Sequence, residues 1–411
     1  MDNYPVNTPS AHSLDYLYRQ DVPIVIFGAG FAGQVLFNLC ASVGIEVTCI
    51  CDNNGDKSKL DLVDCEVIPA SELVNRFSNA CFIISAADIG DVVLQLSELG
   101  FENWLAGGLL LKGVDISEHA CDGPLEFLEY SVSTCILCHE SYLTPDKIFL
   151  RSVDLVITER CSLKCQDCSN LMQYYEAPIN YESDSLIATV NSFLSEVDEV
   201  NEFRVIGGEP FMNKRIDLVL THLSAQEKIK KVVIYTNGTI VPKGDTLNAL
   251  MNDKIVLIVT DYDALSRNID QLKQVLDENE ITYYAAKAQN WTDCAAIGPQ
   301  HRTMDQQKDV YKRCCAKNLF TILDGKFYRC PFSAHVDRLN AVPEDESDYV
   351  DISGYSINQE NPTSLKSNIR DFVFDKDQLS ACDFCVGRFL EDPKITPGIQ
   401  TSTPLSYKHQ R

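Results

Sequence analysis

Residues 158–170 read TERCSLKCQDCSN, which sets Cys161, Cys165 and Cys168 within a span of eight residues. A four-iron cluster ordinarily takes four thiolates, so three on one loop leave one iron open. An open coordination position marks a metal site that performs chemistry, whereas a closed one holds structure or passes electrons. The alternative for the same residues is a zinc loop completed by a distant Cys or His. The triplet follows directly on the apolar run VDLVIT (153–158), and beyond it strand-like and helix-like runs alternate. SLIATVNSFLSEV reads as helix, FRVIGG as strand, IDLVLTHLSA as helix, KVVIYTN as strand, TLNALMN as helix, KIVLIVTD as strand, IDQLKQVLDE as helix and ITYYAAK as strand. The alternation predicts a central partial (β/α)6 TIM-type barrel over 151–305, with functional loops at the C-terminal ends of its strands.

Lys and Arg number 35 against 59 Asp and Glu, a formal charge of −24 over 411 residues. Such a field repels phosphate backbones and anionic bilayers, so neither nucleic acid nor membrane is an expected partner. No apolar run approaches the roughly 18 residues of a membrane helix, and the first twenty residues carry neither a basic n-region nor an apolar h-region. A cytoplasmic address is expected. There, 17 cysteines are free thiols, and clustered ones more often bind metal than form disulfides.

At the front, VPIVIF (22–27) meets GAGFAG (28–33) and then QVLFNLCASVG (34–44), with a second strand EVTCICD ending at Asp52. Strand, glycine turn, helix and a carboxylate nineteen positions after the last glycine form the context of a dinucleotide fingerprint, carried by Gly28, Gly30, Gly33 and Asp52. An N-terminal Rossmann-like parallel sheet is expected over 20–125, in an α/β chain. Its ligand stays open among a nucleotide, NAD and a nucleotide-sugar, and a docking domain without ligand is the alternative. The unit resembles small Rossmann modules at the front of sugar-modifying and glycan-assembly proteins. Residues 126–150 read as a linker, with Cys135-Ile-Leu-Cys138 and His139 as packing or a minor site. Cys40, Cys49, Cys51, Cys65 and Cys81 read as core.

The triplet's spacing, three residues and then two, resembles that of the radical S-adenosylmethionine (SAM) superfamily. The resemblance implies an enzyme whose Cys161, Cys165 and Cys168 hold a 4Fe-4S cluster, with SAM on the open iron and an electron donor such as flavodoxin or ferredoxin. GGEP, Gly207 to Pro210, resembles the motif that holds the SAM amino group, with Glu209 as acceptor and glycines that let backbone approach the ligand. Thr236 and Asn237 would line the same mouth, and Asp261 and Ser266 would contact the ribose or carboxylate. One departure is Asp167, where an aromatic residue commonly precedes the third cysteine.

Cys315, nine residues, Gly325, four residues, Cys330, and then Cys382-Asp-Phe-Cys385 resemble the SPASM/twitch extension. This implies an auxiliary 4Fe-4S cluster in a small irregular domain over 306–395, with a β-hairpin turning at Asp324-Gly325. Cys314 is the other candidate for the first ligand, the spacing favouring Cys315, and a structural zinc is the other candidate for the metal. The implied substrate is a small molecule such as a nucleotide-linked sugar or glycan precursor, or else a peptide, and an electron sink beside a substrate radical favours net oxidation. An NAD-dependent dehydrogenase and a zinc-stabilised binding protein are the rival readings from other classes.

Overall fold

Ile24–Phe27 is apolar at all four positions and buried throughout, as a strand must be when both faces of a parallel sheet are covered. In the computed structural model, which describes residues 12–54, 65–144, 146–353, 364–389 and 392–407, this is strand β1. With β2 (Cys49–Asp52), β3 (Val67–Pro69), β4 (Cys81–Ile84) and β5 (Trp104–Ala106) it forms a sheet of order β3-β2-β1-β4-β5. All four pairings are parallel. Alternation sends Ile24 and Ile26 to one core, with the helix Phe31–Ser42, and Val25 and Phe27 to the other, with the helix Ile89–Glu98. The Rossmann-like expectation holds, and its glycine turn opens where the strand order reverses between β1 and β4.

This first unit, Met1–Arg151, extends past the expected boundary at 125. The stretch expected as a linker contains an 18-residue helix, Leu125–Tyr142. It buries Leu128, Val132, Cys135, Cys138 and His139 along one stripe. Periodicity looked weak because thiols and an imidazole, not aliphatic side chains, occupy much of that stripe. Close approach is allowed by Gly108, where a Cβ would lie 2.6 Å from the Cys135 carbonyl oxygen.

The second unit is Ser152–Arg411. Strands β6 (Phe149–Thr158), β7 (Glu199–Gly207), β8 (Ile229–Thr236), β9 (Ile255–Asp261) and β10 (Tyr283–Lys287) alternate with the helices Ser183–Glu196, Ile216–Ser224, Asp245–Leu250 and Ile269–Glu278. After the short β11 (Trp291–Thr292), β12 (Phe320–Leu323) runs parallel to β6 and turns back as β13 (Lys326–Tyr328), on which β14 (Tyr349–Asp351) lies antiparallel. The order is β10-β9-β8-β7-β6-β12-β13-β14, an open sheet and not a closed barrel. The expected hairpin turns with Asp324 and Gly325 both at positive φ, 50° and 78°, as a two-residue primed turn requires.

The hairpin expected within 306–395 lies in the same compact unit as the barrel strands. Phe320 pairs with Val153 on the first barrel strand, so the region downstream continues the barrel's own sheet. Lys394–Ile395 (β15) pairs with β11. No helix among the described residues is long and apolar enough to cross a membrane.

Candidate functional site

Parallel strands deliver their C-terminal ends to one edge, and at that edge β6 to β9 border a cavity of about 320 Å³. Cys161, Cys165 and Cys168 line it, together with Gly207, Gly208, Thr236 and Asn237. All three thiols border this one cavity; among the described residues, no three His, Cys, Asp or Glu side chains are grouped closely enough to hold a metal ion. Burial pushes all three thiols above their ordinary range, Cys168 to about 11, the last against backbone N–H groups of Met172 and Asn170. Polarised N–H donors reach the sulfurs: Asn237 Nδ2 lies 3.8 Å from Cys161 Sγ, and Gln400 Nε2 lies 3.2 Å from Cys165 Sγ. Half-buried thiols with N–H donors are suited to thiolates whose charge a bound cation offsets, so this donor set fits an iron–sulfur cluster.

The glycines of GGEP do more than admit a ligand. A Cβ on Gly207 would stand 2.2 Å from the Thr158 carbonyl oxygen, and one on Gly208 would stand 2.3 Å from that of Arg160 and 2.7 Å from Cys161 Cβ. The strand end therefore lies directly on the cysteine loop, held by Gly208 N–H to Thr158 O at 3.1 Å and Glu209 N–H to Arg160 O at 2.8 Å.

Glu209 itself is fully buried and does not border the cavity. One carboxylate oxygen accepts from Thr236 Oγ1 at 2.9 Å and Phe211 N at 3.3 Å, and the other accepts from Asn237 N at 2.9 Å. Burial pushes its carboxyl up to about 7, with those donors pulling down. In place of the expected open acceptor, Glu209 ties the end of β7 to the end of β8. Pro210 starts the turn that follows and is buried.

Asp261 is likewise turned away. Strand alternation puts Thr260 and Tyr262 on the cavity, while Asp261 pairs with Lys287 at 3.0 Å and accepts from Asp263 N at 2.8 Å. Ser266 is buried and donates to the Asn237 carbonyl at 2.6 Å while accepting from Tyr262 N at 2.8 Å, which braces the loops after β8 and β9. Both stand behind the cavity wall.

Residues missed in the sequence complete the lining. Asp154 and Arg204, charges within otherwise apolar strand runs, meet at 2.6 Å on the cavity wall, and burial pushes the Asp154 carboxyl up to about 6. Their position inside apolar strands was the available signal, since a buried charge is retained only when it is paired. Tyr235, Tyr262 and Trp291 supply aromatic faces. Arg388 also lines the cavity, and its buried Nε has no hydrogen-bond partner.

Downstream, Cys314, Cys330, Cys382 and Cys385 border a second, smaller cavity of about 30 Å³. Each of three sulfurs accepts a local N–H: Ala316 to Cys314 at 3.4 Å, Ser333 to Cys330 at 3.5 Å and Gly387 to Cys385 at 3.3 Å. Arg302 clamps the Cys382–Cys385 turn by donating to both cysteine carbonyls, at 2.5 and 2.6 Å. Cys315, which the spacing favoured, is exposed and outside this group. The helix Met304–Arg313 ends just before the pair, and its exit turns Cys314 inward and leaves Cys315 outside.

In the first unit, Gly28 has φ +118° and Gly33 packs so closely that its Cβ would meet the Gly28 oxygen at 1.9 Å. Gly30 has open space. Asp52 accepts from Ala29 N at 2.7 Å and Asn54 N at 2.8 Å, so its carboxylate closes the glycine turn. Cys135 and Cys138 are buried in the helix stripe, and His139 accepts from Gly108 N at 3.0 Å and donates to the Ala86 carbonyl at 2.9 Å. That histidine is a satisfied core residue.

Residues 151–281 match the family described as 4Fe-4S single cluster domain. A GTP 3′,8-cyclase of Helicobacter pylori is 26% identical over 149 residues, 31% of this chain and 44% of that protein. The mitochondrial GTP 3′,8-cyclase of Arabidopsis thaliana is 33% identical over 89 residues, 21% of this chain and 22% of that protein. The chain thus spans less than half the length of these curated relatives. Among solved structures, that of BtrN in complex with AdoMet and 2-DOIA is 15% identical with a TM-score of 0.36, over 58% of this chain and 93% of that one.

Proposed function

We propose that this chain, an enzyme of the radical SAM superfamily, cleaves SAM reductively at a cluster held by Cys161, Cys165 and Cys168 and abstracts hydrogen from a nucleotide or nucleotide-linked small molecule. The observation that carries the reading is the set of three half-buried thiols that line one cavity at the strand ends, two of them reached by side-chain N–H donors. When bound, the reduced cluster supplies the electron that splits SAM into methionine and a 5′-deoxyadenosyl radical. The chain's own work is to position and enclose. Gly207 and Gly208 offer backbone to SAM, Thr236 and Asn237 border its place, and Glu209 holds those two loops in register.

The substrate class rests on the remaining lining. Arg388 offers a guanidinium with a buried, unpartnered Nε, suited to phosphate or carboxylate oxygens, and Tyr235, Tyr262 and Trp291 are faces on which a base or sugar can stack. The curated relatives are named for cyclising GTP, which is in keeping with a nucleotide. For the second cysteine set we assign an auxiliary 4Fe-4S cluster to Cys314, Cys330, Cys382 and Cys385, able to take an electron from a substrate radical and so favour net oxidation. A flavodoxin or ferredoxin is the proposed donor. At the glycine turn of the first unit, a nucleotide remains the proposed ligand, seated against Gly28 and the start of the helix at Phe31.

Anaerobic reconstitution tests the reading. Brown protein with about eight irons per chain, from two four-iron clusters, and release of 5′-deoxyadenosine and methionine under reduction are expected. Colourless zinc protein, or NAD turnover without SAM, would overturn it. The auxiliary assignment has its own check by iron analysis: Cys314→Ala is expected to lose about four irons, while Cys315→Ala keeps the full complement.

A further inference from the structure

The C-terminal segment of the described chain returns to the cysteine loop from more than two hundred residues away. Cys165 and Gln400 form an antiparallel bridge, flanked by Gln166 N–H to Ile399 O at 2.8 Å and Thr401 N–H to Lys164 O at 2.7 Å. This is the non-hydrogen-bonded pairing, in which facing side chains come closest. Gln400 uses that closeness twice: its Oε1 accepts from Lys164 N at 2.7 Å and its Nε2 donates to Cys165 Sγ at 3.2 Å. Gly398 lies against the Tyr262 ring on the cavity wall, and Leu405 N–H to Gln173 O at 2.8 Å ties the tail to the far end of the same loop.

We propose that residues 398–401 are a strap across the cluster loop, and that Gln400 is a positioning residue that orients Cys165 and stabilises the reduced cluster through its N–H···S bond. The inference rests on the triplet holding a cluster. The sulfur of Cys165 gains electron density when the cluster is reduced, and a donor aimed at it favours that state, so hydrogen bonds to ligand sulfurs raise the potential. The two backbone bonds hold the tail against the loop on either side of Cys165.

The test is an anaerobic redox titration of the full reconstituted chain, read by electron paramagnetic resonance, with the triplet's signal identified as the one missing from Cys168→Ala. Gln400→Leu removes all three side-chain bonds, the third being Nε2 to the Gly398 carbonyl at 2.8 Å, and Gln400→Glu keeps an acceptor for Lys164 N–H but turns an oxygen toward the sulfur. Both are expected to lower the reduced-to-oxidised ratio at a fixed poise, by roughly three- to tenfold, with Gln400→Glu the lower. Because Gln400 is exposed, thermal unfolding should stay at the wild-type value. A chain ending at Pro397 is expected to lose triplet iron to a chelator several times faster than wild type. Unchanged potentials and unchanged extraction would overturn the strap and the role of Gln400 while leaving the cluster assignment standing. A wild-type chain with no triplet signal would overturn both.

Discussion

Alanine at any one of Cys161, Cys165 and Cys168 is expected to bring 5′-deoxyadenosine release below detection and to lower iron from about eight to about four per chain. Each of the three is needed because the loop supplies no substitute. The side chains whose hydrogen bonds reach these sulfurs are the neutral amides of Asn237 and Gln400, and neither is a ligand that iron prefers over thiolate. Burial already works against ionising these thiols, so their thiolates depend on the cluster's charge, and a cluster held by two of three is in turn poorly held. The four irons expected to remain are those of the cluster proposed for the second set, whose sulfurs border a separate cavity. Cys330→Ala is the converse: it should lose about four irons and still release 5′-deoxyadenosine. Iron analysis, the visible spectrum and product chromatography read all of these outcomes. A triplet variant that still cleaved SAM would refute the assignment.

Much of this was legible in local sequence, because local chemistry sets it. The glycine turn after Ile24–Phe27 could only be strand, turn and helix, and the spacing of Cys161, Cys165 and Cys168 is a property of one loop. Other features depend on chain geometry that spacing does not encode. Cys314 and Cys315 are adjacent, and which faces the other thiols is decided by where the helix Met304–Arg313 ends. Asp261 was named by resemblance alone, although alternation along β9 puts its neighbours Thr260 and Tyr262 on the cavity. Glu209 was expected as an acceptor for SAM, and its contacts lay beyond the sequence, since only the folded chain brings Thr236 and Asn237 onto its two oxygens. Gln400 carried no signal at all. A lone amide near the end of the chain acquires meaning only when the tail pairs with a loop 235 positions earlier.

Gly208→Ala is expected to destabilise the second unit by about 2–4 kcal/mol and to disable the triplet as well. The methyl would stand 2.3 Å from the Arg160 carbonyl oxygen, 2.5 Å from its carbon and 2.7 Å from Cys161 Cβ. All three belong to the chain segment of the first cysteine, and two are backbone, so no side chain can swing aside to make room. Relief by separation would break Gly208 N–H to Thr158 O and Glu209 N–H to Arg160 O, the bonds that seat β7 on the loop. It would also draw Glu209 from the donors of β8, leaving buried polar groups unpaired at about 1–3 kcal/mol each. The strain therefore divides between backbone and sulfur position, and Cys161 is displaced whichever gives. Gly298→Ala is the control, since nothing lies within 4 Å of a Cβ built there, and its stability should stay within about 0.5 kcal/mol of wild type. Denaturant unfolding measures the first effect, and triplet iron after reconstitution measures the second. Wild-type stability with a full cluster in Gly208→Ala would mean that the two loops do not meet as described, and the role given to GGEP would fall with that contact.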